Sequence, residues 1–167
     1  MKLHLRNALI TSSIAGVLFL SSCLYSFYAH TSSFYSIADF VAQFLFFVGL
    51  FWSIKELREK VTAGYLDIRS GTLCGLQYSV LFSFVFSLFV IAQFLIPGFM
   101  DFLGQLSKEA FAKQGGISDD EINKRIAEMR LQYTPFKVFT MSVFKLMLTG
   151  ILFSLVISML LRKKKLN

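Results

Sequence analysis

Apolar residues run almost unbroken through four stretches of the chain, and polar and charged residues collect between them. The stretches cover about 8–29, 34–54, 72–96 and 136–161, each near the roughly 20 apolar residues a helix needs to cross hydrocarbon. The third stops at Pro97-Gly98, a pair that ends helices. Between the third and fourth the pattern changes period. Phe102, Leu103, Leu106, Ala110 and Phe111 fall at helical spacing, and "QGGIS" breaks the run. Ser118-Asp119-Asp120-Glu121 then has the form of a capping box, with Ser118 accepting from the backbone and Glu121 reaching back. Ile122, Ile126 and Met129 give the next helix an apolar face, and Pro135 follows its end. The pattern predicts an all-α membrane protein. It has four transmembrane helices in a single domain spanning 1–167, with a helical hairpin over about 99–132 outside the membrane between helices three and four.

Composition supports lipid as the solvent. Apolar residues make up 55% of the 167, including 20 phenylalanines, more than one soluble core of this size hides. The net charge of +7 brings nucleic acid to mind, but its distribution argues otherwise. Lys2 and Arg6 precede the first span, and Lys55, Arg58, Lys60 and Arg69 outnumber Glu56, Glu59 and Asp67 in the 55–70 segment. Arg162, Lys163, Lys164 and Lys165 follow the fourth span. These three segments share one side of the membrane and hold the whole net charge; the segment between spans three and four is balanced. The positive-inside rule makes the basic side cytoplasmic, with both termini there and the chain in a bacterial inner membrane. The basic flanks set topology and touch anionic lipid headgroups, and no basic module remains for nucleic acid.

Leu20-Ser21-Ser22-Cys23, behind a basic start and an apolar run, has the form of a lipobox, so acylation of Cys23 is one reading. The other is that the tetrapeptide is the outer half of the first span. Leu24, Tyr25, Phe27, Tyr28 and Ala29 continue the apolar run past the cysteine, and the chain re-enters the membrane three times. Tyr25, Phe27, Tyr28, Phe34 and Tyr35 form an aromatic belt around a short turn at 30–33. Neither Cys23 nor Cys74 suggests a disulfide framework or a metal site.

Small residues recur every fourth position on all four spans, most regularly as Gly71, Gly75, Ser79, Ser83 and Ser87 on the third. Such a stripe lies on one helical face and lets backbones approach. Packing inside the bundle accounts for the stripes of the other helices. The length of the third leaves room for a contact outside the chain, a partner membrane protein or a second copy.

Four polar side chains interrupt the spans in their outer half: Asp39 and Gln43 one turn apart, Gln93 near the end of the third span, and Lys145 in the fourth. An unpaired charge there costs at least about 2–3 kcal/mol, so an Asp39–Lys145 ion pair flanked by the two glutamines is expected. The pair serves as a structural clasp or as part of a transport path.

The run "SIKELREKVTAGYLDIRSGTLCGLQYSVLFSF", with Gly64, Tyr65 and Gly75, resembles the second-loop signature of the bacterial integral-membrane family called domain of unknown function 4199. "GGISDDEI" at 115–122 and "TPF" at 134–136 are similar to that family's outer loop, while Asp67-Ile68-Arg69-Ser70 departs from its Ser/Thr-aromatic-Gly-Gln pattern. The resemblance covers nearly the whole chain. It implies a four-helix inner-membrane protein without an assigned activity, and a polyprenol-phosphate glycosyltransferase as a partner.

Catalysis finds little support. His4 and His30 fall on opposite sides of the membrane, and no zinc spacing, nucleophile elbow or phosphate-cradling loop is present. The expectation is a non-enzyme without cofactor or metal, an accessory or assembly subunit of a membrane complex. The alternatives are a small oligomeric transporter or lipid-handling protein using Asp39 and Lys145, and an anchor acylated at Cys23.

Overall fold

The structure, a computed structural model, describes residues 3–30, 33–114 and 118–162. Lys2, the turn residues Thr31 and Ser32, the Gly115-Gly116 break and the basic residues 163–165 lie outside the described residues, as do the side chains of Phe34, Tyr35 and Met129. Six helices are described: α1 (Leu3–Ala29), α2 (Ser33–Glu56), α3 (Ile68–Ala92), α4 (Phe99–Gln114), α5 (Asp119–Gln132) and α6 (Pro135–Leu161). Helices α1, α2, α3 and α6 are long and apolar enough to cross a membrane, and α4 and α5 form the expected hairpin.

The helices outrun the apolar stretches at the basic end. α1 begins at Leu3, and α3 begins at Ile68, where Asp67 Oδ2 accepts from the Ser70 N–H at 3.2 Å. That bonding to Ser70 holds the Asp67 carboxyl below the usual carboxylate range. α2 runs on through Glu56 into a π-helical turn, Leu57–Val61, which closes at Ala63 and Gly64 with φ of 50° and 88°. A hydropathy pattern stops where charges begin, whereas a helix stops where its backbone is capped or turned. At the other end α3 tightens into a 3-10 turn, Gln93–Leu95, before Pro97 and Gly98 turn the chain.

Packing follows small residues. α1 lies against both α2 and α3, α3 against both α1 and α6, and the α2–α6 seam has far sparser contact. A Cβ added at Gly75 would lie 2.2 Å from Ser154 Cβ, and one at Gly150 would lie 2.4 Å from Ser79 Cβ. The stripes of α3 and α6 therefore face each other at backbone contact, where dispersion replaces the hydrophobic drive that lipid cannot provide. Gly71, Gly75, Ser79, Ser83 and Ser87 are all buried within this one chain. Within this chain α6 and the rest of the bundle occupy the face that carries the long α3 stripe.

An aromatic column fills the centre. Tyr78, Phe82 and Phe86 stack along α3, Phe46 meets Phe82 at 5.0 Å, and Phe19 meets Phe86 at 5.5 Å. The buried Tyr78 hydroxyl shares a 2.7 Å hydrogen bond with Thr11. At the basic end Glu56, only 6% exposed, ties α1 to α2: its carboxylate accepts from Asn7 Nδ2 at 2.8 Å and lies 2.5 Å from Lys60 Nζ.

At the opposite end α4 docks on α1. Phe27 turns inward against Phe99 and Phe102, while Tyr25 and Tyr28 stay exposed, so only part of the expected belt faces outward. Arg130 Nη2 reaches Asp101 Oδ1 at 2.9 Å across the hairpin. Half of the capping box forms. Ser118 Oγ accepts from the Glu121 N–H at 3.3 Å, but the Glu121 carboxylate bonds Arg125 at 2.7 Å instead of reaching back. A charged donor one turn along the helix outcompetes a backbone amide for that carboxylate.

Candidate functional site: a cavity at the hairpin end of the bundle

The sparse α2–α6 seam closes at one end and opens at the other. Toward the basic end Phe47 and Phe153 meet at 4.4 Å, and Phe46 lies beside Gly150. Toward the hairpin end the two helices part around a cavity of about 390 Å³. Phe46, Phe82, Phe86 and Val90 form apolar wall, and Leu103 of α4 and Tyr133 before α6 contribute from the hairpin side.

All four polar residues singled out from the sequence line this cavity: Asp39 and Gln43 from α2, Gln93 from the turn after α3, and Lys145 from α6. The parallel run of α2 and α6, aligned by Phe46 beside Gly150, puts Asp39 and Lys145 within about 3 Å of the same depth at 1.5 Å rise per residue. The expected ion pair is nevertheless not made. Asp39 Oδ2 accepts from Gln43 Nε2 at 2.7 Å, and among the described residues Lys145 has no carboxylate within ion-pairing distance. The cavity lies between the two helices at that depth. Asp39 and Lys145 are exposed and Gln43 is half-buried.

Gln93 is different. It is 2% exposed, and its Oε1 has no hydrogen-bond partner among the described residues. An unmet buried carboxamide oxygen costs about 1–3 kcal/mol, and Gln93 carries that cost in the cavity wall. Ser142 and Thr149 also line the cavity and were not singled out from the sequence. The signal was there: Ser142, Lys145 and Thr149 recur at helical spacing on a mostly apolar helix.

The arrangement suits binding. A carboxylate, a buried carbonyl oxygen and an ammonium converge above an aromatic floor. His4 and His30, at opposite ends of α1, contribute nothing to it. Cys23 lies within unbroken α1 with its side chain wholly buried, and the Cys74 thiol points at the Ser53 carbonyl at 3.7 Å.

Fold and cavity together define a class: a small multi-pass helical membrane protein with an amphiphilic pocket between two of its spans. The family described as protein of unknown function (DUF4199) matches residues 6–163, and the chain belongs to that family. Comparison with curated proteins gives no match, and neither does comparison with solved structures.

Proposed function

We propose that this protein is a non-enzymatic protein of the bacterial cytoplasmic membrane that holds the polar headgroup of a membrane amphiphile in its α2–α6 cavity. One observation carries the reading: Gln93, buried and unsatisfied, stands in the same cavity wall as Asp39 and Lys145, beside aromatic surface suited to an acyl chain. Both termini lie on the cytoplasmic side. The clustering of Arg6, Lys55, Arg58, Lys60, Arg69 and Arg162 at the end where Asn7 meets Glu56 supports that orientation, and with it a cavity in the outer leaflet.

An accessory role in a membrane complex is the second reading. Its support is α6, the least buried of the four spans, whose Met141, Phe144, Leu148 and Leu152 project from the bundle along one face. Native mass spectrometry of the full chain, released gently from its own membranes, separates the two. Lipid binding predicts a retained phospholipid-mass adduct that the Lys145→Met variant loses. A stoichiometric second protein without such an adduct would make the accessory role primary.

The same spectrum tests the lipobox. The chain is expected at its full 19.0 kDa, with residues 1–22 present. The unbroken α1 and the burial of Cys23 support this. A species beginning at an acylated Cys23 would contradict it.

A further inference from the structure

The cavity presents opposite charges that do not neutralise each other, and that separation restricts what can fill it. Asp39 uses Oδ2 on Gln43, and its Oδ1 has no partner among the described residues. Gln93, in the cavity wall, carries a second acceptor, Oε1, which is buried and without a partner among the described residues. Lys145, on the opposing helix, offers an ammonium with no hydrogen bond or ion pair among the described residues.

A purely anionic ligand would satisfy Lys145 and leave Asp39 charged beside it. A cation would do the reverse. Either leaves one uncompensated charge at membrane depth, which is costly. A zwitterion meets both at once. Carboxylate and carbonyl oxygens accept only, so the cationic end must carry N–H donors. A primary ammonium does, and a quaternary one does not. In the outer half of a bilayer, the anion joined to such an ammonium is a phosphate ester, which a lysine binds as a point charge.

We infer that the Asp39–Gln93–Lys145 cavity takes a zwitterion that joins a primary ammonium to a phosphate diester, presented as the headgroup of a phosphatidylethanolamine. The ammonium sits on Asp39 beside Gln93, the phosphate on Lys145, and an acyl chain passes along Phe46, Phe82 and Phe86. The inference rests on the lipid-binding reading above and adds the chemistry of the headgroup.

The test is titration of the purified full chain, in a non-ionic detergent, with dioctanoyl phosphatidylethanolamine, phosphatidylglycerol and phosphatidylcholine, and with soluble phosphoethanolamine. Phosphatidylethanolamine is expected to bind about tenfold more tightly than the other two lipids, the scale of one charge-assisted hydrogen bond. Asp39→Asn should erase its advantage over phosphatidylglycerol, and Lys145→Met should weaken all three lipids alike. The ranking in the wild-type chain needs no variant, so a poorly folded mutant does not blunt the test.

Equal binding of the three lipids, still weakened by Gln93→Leu, would overturn the headgroup assignment and leave lipid binding standing. Phosphoethanolamine binding as tightly as the lipid would overturn the lipid source and assign the site to a soluble zwitterion. Saturable binding of none of them would overturn both readings.

Discussion

Replacing Gly75 with alanine should destabilise the bundle by about 3 kcal/mol, the upper end of the usual range for overpacking. The added Cβ would lie 2.2 Å from Ser154 Cβ and 3.2 Å from Ile54 Cδ1. Carbon atoms rest at about 3.5–4.0 Å, so a gap of 2.2 Å cannot be met by rotating a side chain. The obstructing atom is a Cβ, fixed to the α6 backbone, and the two helices must separate. α3 is the main neighbour of α6, so that separation loosens the outermost span as a whole. Unfolding of the detergent-solubilised protein, followed by helicity, reads the loss directly. Ser154→Gly in the same chain removes the Cβ that the new methyl would strike, and the double variant should recover most of the stability. A Gly75→Ala protein within about 0.5 kcal/mol of wild type, the scale of an ordinary surface change, would refute the close α3–α6 contact.

That contact also shows what a sequence can and cannot disclose. A spacing of four placed Gly71, Gly75 and Ser79 on one face of α3, because helical geometry alone decides that. It did not say which helix meets the face, since every span carries a small stripe. The four spans were legible because lipid demands a long apolar run, and the hairpin because its period changed. The boundaries at the basic end were hidden, because α2 and α3 continue into charged sequence. Asp67 reads as loop, although an aspartate just before a helix start is itself a capping signal, its carboxylate accepting from a backbone N–H of the first turn. Glu56 looked like one of several surface charges, and only its contact with Asn7 reveals it as a buried tie between α1 and α2.

The cavity residues were legible for the same reason as the spans: a polar side chain in an apolar run stands out, and depth can be counted from the helix ends. Their convergence followed from depth. Their failure to pair did not, because counting along helices fixes height and not lateral separation. The α2–α6 seam turned out to be loosely packed beside the α3–α6 seam. Had α2 and α6 met there as α3 and α6 do, Asp39 and Lys145 would form the expected clasp and no cavity would remain.

Exchanging Gln93 for methionine should raise the stability of the lipid-free protein by about 1–2 kcal/mol while removing its response to lipid. The two effects share one cause. A carboxamide oxygen buried without a donor is held at a cost of about 1–3 kcal/mol, which a thioether of similar length avoids. Methionine adapts to irregular space and leaves the aromatic wall undisturbed. Wild-type protein should gain stability steeply with lipid, since a ligand that binds only the folded state stabilises it in proportion to the logarithm of its excess over Kd. The variant starts higher and stays flat, so melting curves across a lipid series should cross. A structural glutamine behaves the opposite way: its replacement by methionine would break a hydrogen bond and lower stability at every lipid concentration. A Gln93→Met protein less stable than wild type without lipid would therefore mean that this oxygen has a partner within the fold, and the cavity would lose the group that best marks it as a binding site.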